Sequence, residues 1–410
     1  MAEIAAFKGI RYKYKRAELA RVLAPPYDVI SPEEQKEYYR RHPENVIRLI
    51  LGKGVRRDRG GENKYQKAAQ FLNLWRQKKI LREDLKPGIY FLREKYKIGR
   101  AGKTREGFIA LLRLKSFITG EVFPHERTLR APKEDRFRLL EATRANFSPL
   151  FGLYAGEKDR PLELLKASVK LSPPLADYRD EEGVERKLWA VTSAKIIKEV
   201  VKEMRERKIF IADGHHRYEV NLLFAKKEPA HKFVMMYFTN IHNPGLTILP
   251  THRVVYPVQL GDERRGDLEK KIARFFRLKK IAGENELFKL LKNLPAGRVG
   301  MFSNGKYFLL QLIHPLKKRT LDVEIVDNLI LKKILKVDPA KAGQVFYTTA
   351  PHPEQDSRWS GGDRLIFFVN PTKVEDVVRF CLARRAMPPK STYFYPKLPS
   401  GLVIYQDACG

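Results

Sequence analysis

Ile209-Phe210-Ile211-Ala212-Asp213-Gly214-His215-His216-Arg217-Tyr218-Glu219 is the stretch on which the fold turns. A short apolar run ends in an Asp-Gly turn, and polar residues then open a segment with Val220, Leu223 and Phe224 at helical spacing. The pattern predicts a buried strand, a glycine turn and a helix, with Val220, Leu223 and Phe224 on the helix's inner face. A helix start leaves backbone N–H groups without intrahelical partners and carries the positive end of the macrodipole, so it attracts anions. Two imidazoles and a guanidinium there add donors suited to phosphate oxygens. We therefore read Gly214, His215, His216 and Arg217 as a phosphate-binding turn, with Asp213 beside it. An isolated Asp-Gly would be a plain turn; three adjacent cationic or titratable side chains change the reading. Metal binding by the two histidines is disfavoured, because neighbours at a helix start diverge in direction, and no metal ligands are assigned.

Working outward, strand-like runs at 46–51, 89–93, 107–112, 208–212, 233–237, 306–312, 365–369 and 402–405 interleave with helical patterns. Ser31-Pro32-Glu33-Glu34 and Thr372-Lys373-Val374-Glu375 have the form of capping boxes. Ile196, Ile197, Val200, Val201 and Met204 form an apolar helical stripe, as do Tyr65, Ala68, Leu72 and Trp75, and Val374, Val377, Val378, Cys381 and Leu382. The interleaving predicts an α+β, mixed α/β fold. Turn-rich joints are expected near 171–174 and at 350–363, the latter a long surface loop with the look of a lid.

The chain has 410 residues with 80 Lys and Arg against 48 Asp and Glu, a formal net charge of +32. The basic residues are spread along the whole chain, without a basic tail or an aromatic-interleaved block. We read the charge as the Lys-, Arg- and Glu-rich surface of a heat-adapted composition rather than as a nucleic-acid surface; an anionic substrate fits it equally. The only cysteines are Cys381 and Cys409, and no apolar run is long enough to span a bilayer. A reducing, cytoplasmic setting without membrane attachment is expected.

A second constellation is Phe123-Pro124-His125-Glu126-Arg127-Thr128. A carboxylate flanked by His and Arg suits a general base, and suits a local ion pair on a surface loop equally. Further polar clusters set on proline-fixed backbone are Pro25-Pro26-Tyr27-Asp28-Val29, Asn45-Val46-Ile47-Arg48, Pro250-Thr251-His252-Arg253 and Met387-Pro388-Pro389-Lys390-Ser391-Thr392 through Lys397. From these come candidate substrate contacts at Tyr27, Asp28, Asn45, Arg48, Thr128, His252, Arg253, Lys390, Ser391, Thr392 and Lys397. Gly102-Lys103-Thr104 resembles a P-loop ending, but Lys97 stands where the first glycine should be.

Taken in order, these blocks resemble the domain-of-unknown-function family numbered 1015, almost end to end. An Asp-Gly-His-His-Arg turn preceded by a Pro-His-Glu segment is also similar, more distantly, to the free serine kinases of the ParB/sulfiredoxin superfamily. That resemblance implies a ParB/sulfiredoxin-like nucleotide-binding core at 121–255, flanked by α/β regions at 1–120 and 256–410. It further implies ATP or ADP with Mg²⁺, phosphates held at residues 214–217, Asp213 supporting the loop or a Mg²⁺, and Glu126 with His125 at the catalytic position. The function implied is a nucleotide-dependent phosphotransferase acting on a small anionic or hydroxyl-bearing metabolite. A ParB-like DNA-associated or regulatory protein and a phosphohydrolase remain the alternatives.

Overall fold

The computed structural model describes residues 2–54, 63–126, 128, 130–256, 262–293, 297–314, 320–339, 343–356 and 364–407. The chain divides into two compact units. The first takes residues 1–124, 128–247 and 396–410, and the second takes 125–127 and 248–395.

The first unit is built on a nine-stranded mixed sheet. Its strands are β1 (Ile4–Ala5), β2 (Ile89–Ile98), β3 (Ala101–Arg113), β4 (Val122–Phe123), β5 (Leu150–Tyr154), β6 (Ala176–Arg179), β7 (Glu185–Val191), β8 (Ile209–Asp213) and β9 (Phe233–Asn240). The order is β4-β8-β5-β9-β3-β2-β7-β6, with β1 on β3. Strands from 1–120 and from 121–255 thus share one sheet. Most neighbours are antiparallel, while β8 runs parallel to β4 and β9 parallel to β5. β2 and β3 form a hairpin closed by Gly99-Arg100, and Gly99 supplies the positive φ of 56° that so tight a turn requires. Helices α1 (Arg130–Thr143), α2 (Arg160–Ser168), α3 (Ala194–Arg205) and α4 (His215–Lys227) complete the layer. Leu162 and Leu165 of α2 and Val200 and Met204 of α3 join the core of Phe91, Phe108, Ile209, Ile211, Met236 and Phe238. Helix α1 lies on α4, where Leu140 meets Val220 and Phe224.

In the second unit an antiparallel six-stranded sheet has the order β11-β13-β12-β15-β10-β14. These are β10 (His252–Val255), β11 (Phe276–Ile281), β12 (Arg298–Ser303), β13 (Lys306–Leu312), β14 (Val345–Thr348) and β15 (Leu365–Phe368). Helix α5 (Glu284–Asn293) packs Leu287 and Leu291 against Val254, Ile366 and Phe368.

Several local expectations hold. Ser31 caps its helix with the reciprocal bonds of a capping box, and the stripes at 65–75 and 196–204 are helical. Others are corrected. Residues 47–50 form a helical turn rather than a strand, because buried Asn45 accepts from the Ile47 N–H while donating to the carbonyls of Arg21 and Leu23. Thr372 does not cap the helix that follows; its hydroxyl donates to the Ser391 carbonyl. Residues 402–404 lie in a turn and a single bridge, with pairing confined to Tyr405–Gln406. Leu223 is exposed, and Tyr218 and Asn221 share the inner face of α4 with Val220 and Phe224 instead. Of the expected lid at 350–363, residues 357–363 lie outside the described residues, as does Arg127. No helix among the described residues is long and apolar enough to cross a membrane.

Candidate functional site

The turn at 213–217 joins the sheet to helix α4 as its sequence predicts, with one addition. The β8–β5 register shifts between Ile211 and Asp213, a bulge that re-aims the end of the strand. Gly214 follows at φ 92°, ψ 27°, a left-handed conformation costly for any residue with a Cβ. A Cβ there would also lie 3.0 Å from Arg217 Nη2 and 3.1 Å from Leu150 Cγ. Because the N-cap is glycine, no cap side chain accepts from the first-turn amides of α4. His215 is buried and His216 half-buried in that turn.

Asp213 sits between two cations. Its Oδ1 accepts from Lys397 Nζ at 3.1 Å and its Oδ2 from Arg217 Nη2 at 3.1 Å. Arg217 Nη1 donates to the carbonyls of Ser148 (3.0 Å) and Pro149 (2.8 Å), so the guanidinium ties the loop to the chain just ahead of β5. One carboxylate between two cations leaves a local net charge of +1 beside a helix N-terminus, which favours an anion. Lys397 is itself positioned from below. Glu94, buried, accepts from Arg105 Nε at 2.7 Å and Arg186 Nε at 3.0 Å. The same two guanidinia donate to the carbonyls of Pro396 (2.7 Å) and Lys397 (3.1 Å). Behind the loop, Asn221 Nδ2 donates to the Arg217 carbonyl at 2.7 Å. Buried His231 bridges Asn221 Oδ1 (2.8 Å) to the Asp407 carboxylate.

A small open cleft borders this loop, with Tyr27, Arg136, Ser148, Leu150, Arg217 and Asn221 in its wall. Arg136 stacks 4.0 Å above the Tyr27 ring and donates to the Ile50 carbonyl. The structure thus brings Tyr27, Arg217 and Ser148 to one cleft and Lys397 to Asp213. Other residues flagged from the sequence have local tasks. Asp28 is exposed in a single 3₁₀ turn, and Thr128 donates to Glu219, which Lys133 also contacts. Asn45 accepts from the Ile47 N–H ahead of the 47–50 turn, and Arg48 binds the carbonyls of Tyr39 and His42.

The remaining flagged residues belong to the second unit. The 125–126 segment runs parallel to Met387, whose N–H donates to the His125 carbonyl. Glu126 Oε1 accepts from the Lys390 N–H at 3.0 Å, and buried His125 contacts the Thr392 hydroxyl at 3.1 Å. Ser391 is buried and donates to the Pro388 carbonyl. Arg253 is buried, clasped by Asp327. His252 is buried among Phe288 and Phe368, and its Nδ1 accepts from the Val369 N–H. Neither of the two faces solvent.

Burial, and Arg253 beside it, pull the His252 imidazole down to about 3. The unfolded chain takes up that proton near the ordinary value of about 6.5, and the folded chain does not. The stabilisation is therefore full above that value and falls by about 1.4 kcal/mol per pH unit as the pH drops toward the folded value. Denaturant titrations at neutral pH and near pH 4.5 should show this loss, and a His252→Phe variant should show a shallower one. Equal losses in both proteins would exclude His252 as the cause.

No motif marks Glu94, Arg105 and Arg186, which lie on strands amid other charged residues, or the Ser148 and Pro149 carbonyls. His231 and Asp407 also carried no motif.

Comparison with solved structures finds distant likenesses. A conserved hypothetical protein from Pyrococcus furiosus is similar at 14% identity over 71% of this chain and 93% of its own, with a TM-score of 0.38. A free serine kinase in complex with AMP is similar at 12% identity over 70% of this chain and 86% of its own, also at 0.38. SbnI from Staphylococcus aureus, with a C-terminal truncation, is similar at 11% identity over 71% of this chain and 87% of its own, at 0.36. Comparison with curated proteins finds no match. A family model described as "Protein of unknown function (DUF1015)" matches residues 4–329, most of the chain, and the protein belongs to that family.

Proposed function

We propose that the chain is a nucleotide-dependent phosphotransferase acting on a small hydroxyl-bearing metabolite, with the 213–217 turn holding nucleotide phosphates. The observation that supports this reading is the strand–bulge–Gly214–helix turn, with glycine as the N-cap of α4 and Asp213 held between Lys397 and Arg217. Phosphoryl transfer asks chiefly for positioning and charge neutralisation, and a preorganised cationic turn supplies both. In this arrangement Arg217 and Asp213 hold the loop's shape, while the helix amides and the histidines meet the phosphates. Both Asp213 oxygens already have cationic partners, so a Mg²⁺ ion there would have to displace Lys397. The residues fit phosphate, and we assign no metal to them. Glu126, in the second unit, is the proposed base on the acceptor hydroxyl; that role rests on the Pro-His-Glu motif.

Calorimetric titration of ATP and ADP, each with Mg²⁺, tests the reading. Wild type should bind one equivalent. Arg217→Ala, which removes three hydrogen bonds from the loop, should bind at least tenfold more weakly (about 1.4 kcal/mol or more). Hydroxyl acceptors are then screened from L-serine onward, with Glu126→Gln as the inactive control. No nucleotide binding by wild type would sink the proposal. Hydrolysis of a phosphate ester without nucleotide would favour a phosphohydrolase instead.

A further inference from the structure

Within the second unit, an acidic cluster lies apart from every residue discussed so far. Glu284 is the first residue of α5, and Glu354 sits in a short 3₁₀ turn at 353–355 that follows β14. His352 Nδ1 contacts Glu284 Oε2 and lies 3.9 Å from Glu354 Oε1. One atom from each of the three side chains falls within 4.8 Å of the others. That spacing suits a single ion with ligand distances of about 2.0–2.2 Å.

Proximity alone would make this an ion pair around His352. What sets it apart is Glu354, only 8% exposed. Both of its carboxylate oxygens, and Oε1 of Glu284, are buried without a hydrogen-bond partner among the described residues. Arg364 donates to the backbone carbonyl of Glu354 rather than to its carboxylate. Proteins rarely leave a buried carboxylate in that state; it is paired, protonated or bound to a cation. The two carboxylates also converge on each other, with His352, the Tyr307 hydroxyl and Arg364 close by, and like charges so placed favour a cation between them.

We propose that Glu284, His352 and Glu354 form a divalent transition-metal site, with Zn²⁺ as its best occupant. An imidazole with two carboxylates is a donor set for Zn²⁺ or a neighbouring transition ion. Mg²⁺ and Ca²⁺ take oxygen ligands and would leave the histidine unused. Three protein ligands leave a fourth position for water. The bound ion fastens the 352–354 segment to the first turn of α5.

The test uses the full chain without a histidine tag, dialysed against chelator and then against buffer. Zn²⁺ is titrated calorimetrically, and retained metal is counted after gel filtration. Wild type should hold one equivalent and melt at a higher temperature with Zn²⁺ than without, and excess Mg²⁺ should not compete. Glu354→Gln and His352→Ala should each weaken binding at least tenfold and abolish the thermal shift, whereas His242→Ala should do neither. Circular dichroism establishes that each variant is folded. If Glu354→Gln fails to fold, His352→Ala decides alone, because its side chain is half exposed. Absence of stoichiometric Zn²⁺ binding by wild type, or binding unchanged in the folded variants, would overturn the site.

Discussion

Glu94→Gln is expected to lower the stability of the first unit by about 3–5 kcal/mol. The carboxylate is fully buried and is shared by Arg105, itself fully buried, and Arg186, which is nearly so. The amide keeps the shape of the side chain but not its charge. Arg186 retains Asp180 as a partner, whereas Arg105 keeps the uncharged Pro396 carbonyl and the faces of Phe151 and Tyr237. Hydrogen exchange should show lost protection in Ile89–Ile98 and Glu185–Val191, with a lowered melting temperature. A second consequence follows at the surface. The guanidinia that lose their counter-charge are the ones that hold the carbonyls of Pro396 and Lys397, so Lys397 should leave Asp213 and anion affinity should fall as well. Unchanged stability would mean that the two arginines find compensation elsewhere.

The second large effect is expected for Asp327→Asn, again about 3–5 kcal/mol but in the other unit. Arg253 reaches Asp327 through Nε at 2.9 Å and Nη2 at 3.3 Å, while its Nη1 donates to the Thr251 carbonyl. Both partners are almost wholly buried. An asparagine accepts one of the two bonds and turns an amide N–H toward the guanidinium, which leaves a buried charge uncompensated. The loss of exchange protection should appear in His252–Val255 and in the helical segment Ile325–Leu335. Loss of protection confined to the first unit would contradict this placement.

The turn at 213–217 was legible because two strong local signals coincide there: an apolar run that can only be buried, and a glycine where the backbone must turn left-handed. Ser31 was legible for the same reason, since its capping bonds close within four residues. The errors share a cause of the opposite kind. The run at 46–51 is apolar enough for a strand, but Asn45 takes its partners from residues 21 and 23, which no local pattern reveals. Thr372 has the right neighbours for a cap and is drawn off by a carbonyl 19 residues away. His252 and Arg253 have the residue types of a binding site, yet their partners, Asp327 and the Val369 N–H, lie far along the chain and bury them. Lys397 was flagged for its type, while its place on Asp213 depends on three strand residues that read as ordinary surface charge.

The first unit closes only with residues 396–410, after the whole second unit has been passed in the chain. Lys397 reaches Asp213 and Asp407 reaches His231 from that returning segment. On a ribosome, the strands and helix around the turn emerge long before these two residues do. The nascent protein therefore carries a turn whose carboxylate lacks its Lys397 partner until about 180 further residues have been made. A fragment that stops short of Pro396 keeps the glycine turn and the helix start but lacks Lys397. The turn at 213–217 thereby gains its last contacts only after the whole second unit has been made.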